Sequence, residues 1–337
     1  MSATPATSGS TPVARAIALA VGAAAIVGLV LLAFTWPAVT SEPRDLPVAV
    51  AGPEVAVAQI TGVVAAQAGD TIAPARVTDR AAAVDAIEHR EAYGAIVLGS
   101  APGDALEVLI ASAANPQVAQ MLQAMAAQMG QRTGAAVTVT DVVPFDGADP
   151  RGAKMSAAAF PLVLGGMAGA VIISVAIATA LPRVAALAAY AVAAGLLLAG
   201  ILHSWFGGLH GSYWVNAAAV GLTVVAISAP IVGLRSLLGM PGIGVGAVLM
   251  MLIANPISAA TMPVEFLVGP WGAVGQWFPP GAGATLLREL SYFPDANTAF
   301  PWTVLAMWAA AGVLLTCIAA ARESKADDEV PELATVE

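Results

Sequence analysis

Apolar residues gather into one long run before residue 40 and five more after residue 155, and a polar block of about 115 residues separates the first run from the rest. Crossing a bilayer as a helix takes roughly 20 mostly apolar residues. Residues 16–36 meet that requirement, as do 157–181, 184–203, 214–234, 242–262 and 302–321, and none of these later runs contains an Asp, Glu, Lys or Arg. The first run also fits a signal peptide, but it exceeds an h-region of about 7–15 residues and no A-x-A site follows, so it reads as an uncleaved anchor. The pattern predicts a polytopic α-helical membrane protein with six transmembrane helices. Pro161, Pro230 and Pro256 fall inside these runs and predict kinks that neighbouring helices absorb.

The polar block, 37–155, alternates short β-rich runs with helical patterns. Residues 46–51, 73–78, 94–98, 106–111 and 137–143 read as strands. Residues 53–68, 79–91 and 115–131 read as helices, with Asp79 and Asn115 as N-caps and Pro116 in the first position. The order β-α-β-α-β-β-α-β predicts a small α/β domain inserted between the first and second spans. No glycine-rich phosphate loop follows its first strand, so it reads as a binding or structural module.

Composition agrees with a membrane bundle: 58% of residues are hydrophobic and 10% are charged, against about 25% charged in a typical soluble domain. The net charge of −9 concentrates in two places. The 37–155 block carries thirteen acids and seven bases, and the tail 322–337 carries six acids and two bases. No basic patch suited to nucleic acid is present. Arg15, Arg183, Arg235, Arg322 and Lys325 fall on one side of a six-span bundle, which predicts a plasma-membrane protein with both termini cytoplasmic and 37–155 outside. The domain boundaries follow: cytoplasmic 1–15, first span 16–36, external domain 37–155, membrane domain 157–321 with an external re-entrant or interfacial segment 263–300, and an acidic cytoplasmic tail. Gly165 and Gly169, and Gly242 and Gly246, are small-residue pairs suited to close helix packing.

Signals for chemistry are sparse. Cys317 is the only cysteine and sits in an apolar run, where a small packing residue is the simpler reading. His203 and His210 are seven apart with no nearby acid in sequence, which matches no standard zinc spacing. Trp205, Phe206, Tyr213 and Trp214 beside them fit an interfacial aromatic belt. No P-loop motif occurs. Catalytic, metal and cofactor assignments are therefore none, and an enzyme is not expected. The best intramembrane polar cluster is Asn255, Ser258 and Thr261 beside Pro256, read either as interhelical hydrogen bonding or as the lining of a transport path. Residues 262–294 are too broken by Pro and Gly to span, with Trp271, Trp277 and Phe278 as anchors and an amphipathic helix over 282–293. Within that stretch Glu265 and Arg288 are the candidate functional residues, readable also as a helix-end pair.

The stretch from Asn255 to Phe293 resembles the ABC-2 type transporter permeases, closest to the branch with a large external loop that includes the YhgE/phage-infection-protein-like group. The resemblance rests on Pro263 with Glu265, Trp271 with Trp277, Pro279-Pro280-Gly281 and Leu287-Arg288, on the LPVAV run opening the polar block, and on the order of spans. It implies a permease subunit that pairs with itself or a second permease, contacts membrane lipid, and exports a substrate using a separate cytoplasmic P-loop ATPase. The link between the second and third spans is short, Leu181-Pro182-Arg183, so Arg183 and Arg235 become the ATPase-coupling candidates. The alternative is a non-transporting scaffold whose external domain binds an envelope or secretion partner.

Overall fold

The computed structural model describes residues 13–99, 106–134 and 136–333. It has two layers of architecture, a helical bundle and an α/β unit standing on one end of it. Among the described residues five helices are long and apolar enough to cross a membrane: α1 (Val13–Thr40), α5 (Ala153–Ala176), α6 (Ala180–Ala199, extended as a π-helix to Trp205), α7 (Tyr213–Leu238) and α11 (Ala299–Leu333, apolar to Lys325). The protein is a polytopic helical membrane protein.

The α/β unit comprises β1 (Leu46–Ala51), α2 (Glu54–Ala68), β2 (Ile72–Val77), α3 (Arg80–Glu88), β3 (Gly94–Val97), β4 (Leu106–Ile110), α4 (Pro116–Thr133) and β5 (Val137–Asp141). The element order is the one the sequence predicts. The strands form one sheet in the order β2-β1-β3-β4-β5, with only the β3–β4 pair antiparallel. The helix starts follow local chemistry. Asp79 accepts a hydrogen bond from Ala82 N, and Asn115 accepts from Gln117 N and Val118 N while Pro116 opens α4. Gly134 ends α4 in the left-handed conformation (φ 66°). Val48, Val108, Leu109 and Leu122 are fully buried in the core between sheet and helices.

In the bundle, α7 is the central helix, apolar all round and buried along most of its length. Small residues let its neighbours approach. A side chain at Gly195 would meet the Ala217 carbonyl, one at Gly221 the Ala191 carbonyl, and one at Gly312 the Ala229 backbone. Gly242 and Gly246 both face α7, at Leu234 and Ile231. Of the other glycine pair, a side chain at Gly169 would meet Tyr190, whereas one at Gly165 would face open space, its carbonyl accepting from the Tyr190 hydroxyl. Pro161 and Pro230 lie inside continuous helices.

One predicted span is shorter than its hydropathy. The run 242–262 becomes α8 (Met240–Ala247) continued as a π-helix to Ala254, an apolar helix of about 22 Å at 1.5 Å per residue, short of a bilayer core of about 30 Å. Pro256 brings no N–H to extend the ladder, the Ser258 hydroxyl takes the Asn255 carbonyl at 2.7 Å, and Ala259 turns to φ 52°. The chain then folds back through a 3₁₀ turn at Val264–Phe266, α9 (Trp271–Gly275) and α10 (Pro279–Tyr292) before entering α11.

Candidate functional site

The folded-back stretch 255–293 is held together by close backbone contacts at glycine and by side-chain bonds to carbonyls. Gly272 lies under the Val264 carbonyl, Gly275 under that of Ile257 and Gly281 under that of Gly275. Gln276 Nε2 donates to Ser258 O (3.0 Å), Thr285 Oγ1 to Gln276 Oε1 (2.6 Å) and Arg288 Nη2 to Ala260 O (3.1 Å). Trp308 of α11 donates its indole N–H to Trp277 O (2.7 Å).

The α/β unit docks on this stretch. Phe293 is 1% exposed and joins the core of the sheet, with Phe266 and Tyr292 packed beside it. Where the two meet, a cleft of about 190 Å³ is lined by Arg90, Tyr93, Glu265, Gln276, Thr285 and Glu289. Arg90 follows α3 in the left-handed region (φ 60°), which aims it across the seam. Its Nη1 lies 3.4 Å from Glu289 Oε1, and its guanidinium stands 5.4 Å from the centre of the Phe293 ring. The Tyr93 hydroxyl donates to Glu265 Oε2 at 2.8 Å. Glu289 Oε2 is buried with no partner among the described residues.

Burial sets the electrostatics here. It raises the Glu289 carboxyl above the ordinary glutamate range, against the opposing pull of Arg90 and Arg288. It lowers the Arg288 guanidinium to about 10, with Arg90 adding like-charge repulsion. Burial, reinforced by the Glu265 carboxylate, holds the Tyr93 phenol above its usual value. The seam therefore offers two carboxylates, a phenol, a guanidinium, an amide and a hydroxyl around a small cavity. That set suits a polar solute or a charge-locked hinge. Among the described residues no group of three or more His, Cys, Asp or Glu side chains is placed to hold a metal ion.

The residues singled out from sequence divide between two ends of the molecule. Asn255, Ser258, Thr261, Glu265 and Arg288 share the folded-back stretch. Asn255 and Ser258 do not share a helix face, because the helix stops at Ala254. Thr261 lies exposed on the turn. Glu265 and Arg288 do not pair with each other: Tyr93 takes the first and the Ala260 carbonyl the second. His210, without an acid close in sequence, meets Asp146 across 64 residues, its Nε2 3.4 Å from Asp146 Oδ2. The Asn216 amide donates to His203 Nδ1 (3.1 Å) and His210 O (2.8 Å).

At the other end, Arg183 is 2% exposed and turned inward. Its Nε donates to Ile177 O (3.1 Å), Nη2 to Ala178 O (3.1 Å) and Ser174 O (3.4 Å), and Nη1 to Ser236 Oγ (2.8 Å). A cation at the carbonyl end of α5 is also favoured by the helix dipole. Glu323 of α11 caps the same corner by accepting from Ala180 N (3.0 Å). Arg183 is thus an internal fastening, and only the half-buried Arg235 of the two arginines keeps part of its side chain at the surface.

Arg90, Tyr93 and Glu289 were not singled out from sequence. For Glu289 a signal existed. Ala282, Leu286, Glu289 and Phe293 follow helical spacing, and a carboxylate on the buried stripe of an amphipathic helix marks an unusual site. No family model, curated protein or solved structure matches this chain.

Proposed function

We propose that this protein is the membrane-spanning permease subunit of an ABC-2-like exporter, moving a substrate across the cytoplasmic membrane with energy from a separate P-loop ATPase. The observation that carries the reading is the helix that stops at Ala254 and folds back through residues 255–293 beside the central helix. This is the stretch whose Pro, Glu, Trp and Arg positions resemble those permeases. A broken helix with polar groups facing a cavity, beside a central helix, is a structure suited to a gated path. Six membrane segments, cytoplasmic termini and the α/β unit outside complete the proposed topology. Glu265, Arg288, Asn255, Ser258 and Thr261 lie along the path, and Arg235 presents the coupling surface.

A non-transporting scaffold is the second reading. The three-residue link 177–179 between α5 and α6, sealed by Arg183, favours it because no helix there reaches toward an ATPase. Affinity purification from membranes in mild detergent, with mass spectrometry, separates the two. A stoichiometric P-loop ATPase that is lost on Arg235→Ala supports the permease. Only envelope proteins, retained through the α/β unit under nucleotide-trapping conditions, would replace it with the scaffold.

A further inference from the structure

We propose that the groove between α5 and the C-terminal end of α6 binds one anionic membrane phospholipid, its phosphate at Lys154 and an acyl chain along Pro161, Leu162 and Leu198. The groove has a volume of about 410 Å³ and is apolar except for Lys154. That volume lies within the usual range of about 300–1,000 Å³ for small-molecule sites. From Lys154 to Pro161 the helix rises about 10 Å, so a bound chain runs from the mouth into the hydrocarbon layer. Phe206 lines the mouth and Trp205 stands exposed beside it, which places Lys154 at headgroup level.

The acidic neighbours of Lys154 make their hydrogen bonds elsewhere, and Asp146 attracts it from beyond ion-pair distance. Asp149 caps α5, accepting from Ala153 N (2.9 Å) and Lys154 N (3.0 Å). Asp146 accepts from Ala148 N (3.0 Å) and faces His210. Among the described residues Lys154 makes no ion pair, and neither does Arg288. A crevice of about 30 Å³ lined by both Lys154 and Arg288 adjoins the groove, with Arg288 behind it and donating to Ala260 O. An apolar trough with a cation at its mouth complements a phosphodiester carrying an alkyl tail. A neutral headgroup leaves the charge unanswered, and free phosphate leaves the trough unfilled. The site does not depend on whether the chain exports anything.

The test is native mass spectrometry of the full-length chain, purified in mild detergent and re-lipidated with phosphatidylglycerol or phosphatidylcholine. The wild type is expected to retain one phosphatidylglycerol per chain in preference to phosphatidylcholine. Lys154→Ala should lower that occupancy by about fivefold, the effect of one cation near a membrane surface. Lys154→Arg should keep it. Arg151→Ala, three residues away and exposed, should leave it unchanged, and millimolar inorganic phosphate should not displace the lipid. Equal retention of the two lipids, unchanged retention in Lys154→Ala, an equal loss in Arg151→Ala, or displacement by phosphate overturns the proposal.

Discussion

The two ends of the bundle use arginine in opposite ways. At the α5–α6 corner, Arg183 meets three carbonyls and a serine hydroxyl and, among the described residues, no carboxylate within ion-pair distance. Its charge ties three helices together. At the opposite end, Arg90 and Arg288 sit among Glu265, Glu289 and Tyr93, and one carboxylate oxygen stays buried without a partner. In the first arrangement every guanidinium nitrogen has an acceptor. The second joins two separately packed units through contacts that can be exchanged, because incompletely paired polar groups in a low dielectric have much to gain from a new partner. The comparison separates a fixed end from one able to respond, and each half of it can be attacked by mutation.

The largest effect belongs to the fixed end. Hydrogen bonds to a charged group contribute about 1.5–3 kcal/mol each, so Arg183→Ala should cost on the order of 5 kcal/mol and leave the Ser174, Ile177 and Ala178 carbonyls without this donor. Thermal unfolding in detergent should show a variant that is largely misfolded or lost from the membrane. Arg183→Lys, with one point charge for four contacts, should fall between the two. A wild-type-like melting curve for Arg183→Ala would mean that water serves those carbonyls and that the corner is not a fastening.

Next comes the docking of the α/β unit. Phe293→Ala removes a fully buried ring and should cost about 3–4 kcal/mol. The loss should appear locally, as faster protease cleavage near residues 293–299 and weaker hydrogen-exchange protection of α3 and β3, while α7 stays protected. Uniform loss of protection throughout would show that sheet and bundle unfold as one body.

Much of this architecture was legible because its signals are local. Asn115 and Pro116 declare the start of α4 in two adjacent residues. The strands of the α/β unit announce themselves by short apolar runs between turn residues. The fifth apolar run misled because hydropathy counts residues and not hydrogen bonds. The run 242–262 is apolar enough to span, yet Pro256 and Ser258 end its helix at Ala254. The site was legible only in part. Glu289 sits on a readable stripe, but Tyr93 and Glu265 are 172 positions apart and Arg90 and Glu289 are 199 apart, distances that no spacing rule covers. Arg183 was misread as a surface group because a lone arginine at a span end usually stays in water, and nothing in its neighbours' identity reveals that backbone carbonyls surround it.

The responsive end predicts a split between stability and function. Glu265→Ala removes one hydrogen bond from Tyr93 to a carboxylate, worth about 1.5–3 kcal/mol, and should lower membrane abundance only modestly. Under the exporter reading, transport should fall well beyond that loss. Tyr93→Phe removes the same bond and keeps the carboxylate, so it isolates the charge. Equal declines in abundance and transport for Glu265→Ala would make the seam structural only.

The smallest effect is the most diagnostic, because it asks which force governs Glu289. Burial raises its carboxyl in the folded protein, so the folded state holds a proton that the unfolded chain has already released once pH rises above about 4.5, the ordinary glutamate value. Unfolding free energy therefore falls as pH rises through the window that starts there, and the contribution is largest on the acid side. Glu289→Gln keeps an acceptor for Arg90 and removes the charge. At neutral pH it should change stability by less than about 1 kcal/mol, since exchanging a buried ion pair for a neutral contact is often nearly balanced. As pH falls from about 7 to about 5, the wild type should gain on the variant when the seam is followed by protease resistance. A difference that stays flat over that range would mean that pairing with Arg90 offsets burial in full. A difference that moves the other way would mean that the ion pair governs the carboxyl, making the seam a second fastening like the Arg183 corner.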